Sequence, residues 1–178
     1  MKMIKQSIVF LLIASMLFLC SCSLGEARIQ MLNKDNDEAK ADARLEQIIK
    51  AVKNKDKDSL RVMFSKQALN EAEDLDGRMD YLFNFVQGNI ESWKTIVHGA
   101  TNESIDHGSR IKGSSSWYYV NTDKEKYLFF FKECIIDTDH PENVGVYMIQ
   151  VIKAEDRETQ FDGGGSKTGC AGIYKPKE

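Results

Sequence analysis

"EDLDGRMDYLFNFVQGNIESWKTIVH", Glu73 to His98, is where the pattern of the chain changes. Leu75, Met79, Leu82, Phe83 and Val86 recur at the three-and-four spacing of one helical face. Gly88 stands where a left-handed residue ends a helix. Beyond it the period becomes two, with Ile90, Ser92, Lys94 and Ile96 alternating with Glu91, Trp93, Thr95 and Val97. Helix precedes this point and strand follows it.

Working back from Glu73, "NKDKDSLRVMFSKQAL" carries Leu60, Met63, Phe64 and Leu69 on one side behind Asp58, which is placed as an N-cap. That predicts a second, shorter helix. Ala41, Leu45, Ile48, Ile49 and Val52 predict a first helix over Asp37–Lys53, with acidic residues in its opening turn. Working forward, "ESIDHGSRIKGSSSWYYVNTD" reads as strand, turn and strand. "KYLFFFKECIID" and "VGVYMIQVIKA" are the strongest strand segments, because aromatic and β-branched side chains suit a pleated, half-buried surface. "TDHPEN" connects them as a hairpin, and "AGIYKP" reads as a last short strand. Three helices followed by a meander define an α+β class, with N-terminal helices packed on one face of a curved antiparallel sheet.

The N-terminus has a different character. Lys2 and Lys5 precede an apolar run from Ile8 to Leu19 with a lone Ser15 inside it, which is too short to span a bilayer but fits the apolar region of a secretory signal. In "LFLCSC" the last cysteine, Cys22, has an aliphatic Leu19 three positions before it and a small Ser21 directly before it, as a lipoprotein signal requires. Cys20 follows Leu19 and fails that rule. The expected organisation is a signal peptide over 1–21, an acylated Cys22 with a tether over 22–36, and one domain over 37–178. Lipid chains on Cys22 would hold the protein to the extracytoplasmic face of the cell membrane, since each buried methylene contributes about 0.8 kcal/mol and more than one chain is needed for lasting attachment. Ordinary cleavage after Ser21 or Ser23, releasing a soluble protein, is the alternative.

The formal charge of −3 speaks against nucleic acid as a partner, which selects for concentrated Lys and Arg. Cys134 and Cys170 are open to pairing outside the cytoplasm, where a bridge over a loop of this length stabilises by roughly 3–4 kcal/mol. A buried free thiol at Cys134 is the other reading.

No motif completes a catalytic constellation or a cofactor site. "GGGSKTG" has Ser166 and Phe161 where a P-loop needs glycines, and no helix follows, so it reads as a flexible surface loop. His98, His107 and His140 form no i, i+4 pair able to clamp zinc, and no metal is expected. "GSSSW" lacks the closing Gly of a nucleophile elbow. Asp35, Asp37, Asp56 and Asp58 lack the Gly and distal Glu of a calcium loop.

Two features could carry function. Glu133 and Asp137 are placed by alternation on one strand face with Tyr127, Phe129, Phe131 and Ile135. Were that the inner surface of a curved sheet, Glu133 would be a desolvated carboxylate suited to acid–base work. The plainer reading is that Lys132 and Glu133 mark where an edge strand meets water. Likewise Trp93, Trp117, Tyr119, Phe129, Phe131 and Tyr147 either line a ligand cavity together with Glu133 or fill the core.

Taken as an ordered set, "DKDSLRVMFS", "DGRMDYLFNFVQGNIESW", "NVGVYMIQVI" and "GIYKP", together with the cysteine motif at Cys22, resemble bacterial lipoproteins of the uncharacterised family known as domain of unknown function 5104. The resemblance runs from about Ala39 to Pro176 and implies a cystatin-like, or nuclear-transport-factor-like, roll, in which helices close one side of a strongly bent sheet. It transfers no catalytic residues. The resulting expectation is a lipid-anchored, non-catalytic module that binds a cell-envelope protein or small ligand. Its alternative is a small-molecule enzyme using Glu133, and a third possibility is an assembly lipoprotein whose roll mediates dimerisation.

Overall fold

The computed structural model describes the backbone of residues 21–176, and the side chains from residue 37 onward except 98–100. Residues 1–20 of the expected signal peptide and the side chain of Cys22 therefore lie outside the described residues. Two compact units are present, Met1–Lys40 and Ala41–Glu178. In its described part the first is helical backbone, which includes the stretch expected as a tether over 22–36. Among the described residues no helix is long and apolar enough to cross a membrane.

Helix α1 (Ser21–Asn54) ends one residue from its expected terminus. Within the second unit it buries Ala41, Leu45, Ile48 and Val52, the stripe read from the sequence. The second expected helix is instead two, α2 (Lys57–Arg61) and α3 (Lys66–Glu71). Asp56 is the N-cap of α2, accepting from Ser59 N at 2.9 Å, while Asp58 falls inside the helix. The helix stops because Met63–Ser65 is recruited by the sheet. Val146 N donates to Met63 O and Ser65 N donates to Val146 O, both at 2.9 Å, and α3 restarts from Ser65 as N-cap. Only glycine fits opposite this crossing, since a Cβ on Gly145 (φ 131°) would lie 2.9 Å from Ser65 N. Helix α4 (Leu75–Phe85) then buries Leu75, Met79, Leu82 and Phe83. Gly88 has the left-handed φ of 86° expected of it.

The five-stranded sheet runs in the order β1 (Ile90–Asp106), β2 (Ser109–Thr122), β3 (Lys126–Asp137), β4 (Gly145–Lys153), β5 (Gly172–Ile173). The segments on either side of Gly99 form one long strand, interrupted by register shifts between Thr95 and Ala100. His107 and Gly108 both have positive φ, as a tight two-residue hairpin turn requires.

The expected all-antiparallel sheet is corrected at its end: β5 lies parallel to β4, pairing Met148 with Gly172 and Ile149 with Ile173. A parallel neighbour needs a long crossover, and residues 154–171 supply it. That crossover covers the side of the sheet away from the helices. The helix side carries Tyr118, Phe129 and Val151 across β2, β3 and β4, while the opposite side carries Trp117, Phe130 and Gln150. Leu128, Phe129, Phe130 and Phe131 are each 0–1% exposed, so the unbroken apolar run of β3 is buried on both sides.

Candidate functional site

On the helix side, Glu133 is carried inward and is 8% exposed. It meets a cation from α1: Arg44 Nε donates to Glu133 Oε2 at 3.1 Å, and Arg44 Nη1 donates to Gln47 Oε1 at 2.8 Å. Nearby, the fully buried Tyr118 donates its hydroxyl to Asp42 Oδ1 at 2.9 Å. Burial, and then the hydrogen bond to Asp42, push the Tyr118 phenol well above its ordinary range. Buried Ser114 and Ser116 complete a polar seam between α1 and the sheet. Glu133 is thus an ion-paired carboxylate at a packed helix–sheet junction.

Asp137 does not share that face. The β2–β3 register leaves Ile135 without a partner, so alternation shifts and Asp137 pairs with Ile111 while Glu133 pairs with Ser114. Its carboxylate closes the following turn, accepting from Asn143 Nδ2 at 2.8 Å, His140 N at 2.9 Å and Asp139 N at 3.2 Å. These bonds hold the Asp137 carboxyl below the usual range, with Asn143 the largest influence.

The six candidate pocket aromatics are divided between the two sides. Phe129 and Phe131 are buried in the helix-side core, where Phe131 stacks on Tyr118 at 6.0 Å and Trp93 meets Tyr118 edge-on at 5.6 Å. Tyr147 is left over in the β3–β4 register and donates its hydroxyl to Glu71 Oε2 at 2.8 Å. Trp117 lies on the other side, edge-on to Phe130 at 5.8 Å, and Tyr119 accepts there from Arg157 Nη1 at 3.4 Å. One cavity lined by all six is not formed.

The crossover, which begins with a 3₁₀ turn (Ala154–Asp156) and a helical turn α5 (Arg157–Gln160), is anchored by Phe161. That ring packs on Phe130 at 5.2 Å and on Trp117 at 6.0 Å. The glycine run after it, expected as a flexible surface loop, carries hydrogen bonds to Asp162 and Lys132. Asp162 accepts from Gly165 N at 3.0 Å and Lys167 N at 2.9 Å, and also from the Thr168 hydroxyl, which chiefly holds its carboxyl down to about 2. The amides that would cradle a phosphate in a P-loop here surround the chain's own carboxylate. Lys132 Nζ donates to Gly164 O at 2.6 Å and ties the loop to β3.

Cys134 and Cys170 are separate free thiols in the structure. Cys134 Sγ donates to Ile136 O at 3.3 Å, and burial pushes both thiols above their ordinary range. His107 stands at the exposed hairpin turn and His140 in the exposed β3–β4 connection. The side chain of His98 is outside the described residues.

An open cleft lies between α4, the crossover and the C-terminal run. Its volume is about 880 Å³, and its walls include Arg78, Tyr81, Phe85, Ile152, Phe161 and Tyr174. Sequence reasoning missed it because its walls come from segments far apart in the chain. Arg44, Asp42 and Tyr118 were missed as well, although Arg44 sits three residues after Ala41 and four before Ile48, on the apolar stripe of α1.

These features define a small α+β protein whose mixed sheet is covered by helices on one side and by a C-terminal crossover on the other, with a cleft where the two coverings meet. The chain belongs to the family described as Domain of unknown function (DUF5104), matched by residues 47–154, from within α1 into the first residue after β4. No curated protein matches the chain.

Proposed function

We propose that this protein is a membrane-anchored, extracytoplasmic lipoprotein whose body, a cystatin-like or nuclear-transport-factor-like roll, is a non-catalytic binding module. The observation that carries the binding reading is the contrast between Glu133 and the cleft. Glu133 was the leading acid–base candidate, yet it is paired with Arg44 in a packed junction, whereas about 880 Å³ of open space lies elsewhere. An acid–base enzyme needs its carboxylate within hydrogen-bond reach of a substrate. A binding module needs only a shaped, partly apolar cleft. The bulges in β1, β3 and β4 favour a bent sheet, which supports the roll. The anchor is supported by Leu19, Ser21 and Cys22 behind the basic and apolar leader.

The test has two arms. The wild-type chain, expressed in a bacterium fed radioactive palmitate, is expected to take up label and sediment with membranes, and Cys22→Ala is expected to abolish both. Persistent labelling of the variant would overturn the anchor. Native mass spectrometry of the full chain from native membranes is expected to find a non-covalently bound ligand. Turnover of a small molecule that Glu133→Gln abolishes without unfolding the protein would overturn the module in favour of the enzyme.

A further inference from the structure

The cleft between α4, the crossover and the C-terminal run points to a ligand class, an inference that rests on the binding-module reading above. We propose that it binds a neutral saccharide, with sugar rings seated against Tyr81 and Tyr174.

Size is the first argument. About 880 Å³ lies within the roughly 300–1,000 Å³ usual for small-ligand sites, and the pockets elsewhere measured at about 320–370 Å³ are less than half as large. The second is the kind of apolar surface. Phe129, Phe130 and Phe131 are sealed in the sheet, but Tyr81, Phe85, Phe161 and Tyr174 are only partly buried and meet at this one cleft. Tyr81 stacks on Phe85 with centroids 5.5 Å apart, which fixes its ring on α4, and Lys175 Nζ stands 5.7 Å from the Tyr81 centroid, so a sugar seated on that ring displaces the lysine. A sugar ring presents C–H faces that pack on such a ring and hydroxyls that both donate and accept at its edges. Tyr81 and Tyr174 supply the matching hydroxyls. A tyrosine phenol is a donor at neutral pH, and burial, and next the neighbouring Tyr174, raise that of Tyr81 further.

Charge is the third argument, and it separates a saccharide from a phosphate or a cation. The cations on the walls are Arg78, Lys153, Lys167 and Lys175, and the anions are Glu73, Asp156, Glu158 and Asp162. They balance, and several are engaged within the protein. Arg78 donates to Glu73 Oε2 at 3.2 Å and to Ile173 O at 3.1 Å, Lys153 pairs with Glu125 at 3.3 Å, and Asp162 is spent on its own loop. Such walls carry no net formal charge to concentrate a charged ligand. They do include both donors and acceptors.

The full chain, purified in a detergent without a sugar headgroup, is titrated calorimetrically with maltotetraose, tetra-N-acetylchitotetraose, inositol hexakisphosphate and oleate. At least one of the two saccharides is expected to bind with a Kd below about 1 mM, and the other probes to bind more weakly. Tyr81→Ala is expected to weaken saccharide binding about tenfold or more, while Tyr81→Phe, which keeps the ring, retains most of it. If Tyr81→Ala does not fold, Thr159→Trp, which fills the cleft from an exposed position, serves in its place with the same expected loss. Absence of heat with both saccharides at about 10 mM, saccharide binding insensitive to these substitutions, or preference for the phosphate or oleate would each overturn the proposal. A non-saccharide ligand found by native mass spectrometry would overturn it while leaving the binding module standing, whereas Glu133-dependent turnover would remove the module itself.

Discussion

The two sides of the central sheet are covered by different means. The helix side is closed by α1 to α4 with regular amphipathic stripes, and its core includes Leu45, Ile48, Leu60, Met79 and Leu82, each fully buried. The opposite side is closed by residues 154–171, which contain only short helical turns and rest on a single ring, Phe161, with polar ties from Lys132 and Arg157. Burial of aliphatic surface scales with area, so the helix side holds the fold together. The crossover buries little per residue and stays near the surface, where a cleft can form beside it. Stability is thus assigned to the helix side, and openness to the margin where the helices and the crossover meet.

If that division is right, the largest loss should come from the helix-side core. Phe129→Ala is expected to lower unfolding free energy by about 3–5 kcal/mol in chemical denaturation, because the site cannot collapse around the missing ring. A loss no greater than that of Phe161→Ala would break the comparison. Next in size is the polar seam. Glu133→Met and Arg44→Met are each expected to cost about 1–3 kcal/mol by leaving the other member of the pair without its partner, and the two together are expected to recover most of it. Additive losses in that double-mutant cycle would deny the pair any coupling.

Phe161→Ala is expected to cost about 1–2 kcal/mol, as for a ring only partly removed from water, with the damage local. Hydrogen exchange should quicken in residues 154–171 and over β4 while α1 and α4 keep their protection. Uniform acceleration would mean that the crossover is integral to the core. Tyr118 sharpens the seam at high pH. Its phenol is raised in the folded state, so its contribution is whole below the ordinary value near 10 and declines as pH rises above it. Denaturant midpoints measured at pH 8 and pH 11 should fall further for the wild type than for Tyr118→Phe. The smallest effect concerns Asp162, depressed to about 2, whose contribution is present above the ordinary carboxylate value near 4 and lost as pH falls toward 2. In a Trp93→Phe background, Trp117 fluorescence should report loosening of the crossover over that interval, and Thr168→Val should move the change to higher pH.

Much of the helix side was legible in advance. The stripes of α1 and α4 and the left-handed Gly88 follow from periodicity and backbone sterics, which act within a few residues. Asp137 was misplaced because a bulge at Ile135 cannot be seen in an alternating pattern. The second helix was drawn as one because a bridge from Phe64 to Val146 is non-local. The run Leu128–Phe131 carried a sign of burial on both sides, yet nothing local named what would cover it. The hydrogen bonds of the glycine run to Asp162 and to Lys132 of another strand have no local sequence signal.

By itself the amino-acid order determined an α+β body of helices followed by strands, since periodicity is written within short windows. Only the tertiary structure decided that β5 runs parallel to β4, that Glu133 meets Arg44, and that Tyr81 and Tyr174 share a cleft. Each of those joins residues distant along the chain, where the free energy of the whole packing, rather than any local preference, selects the contact.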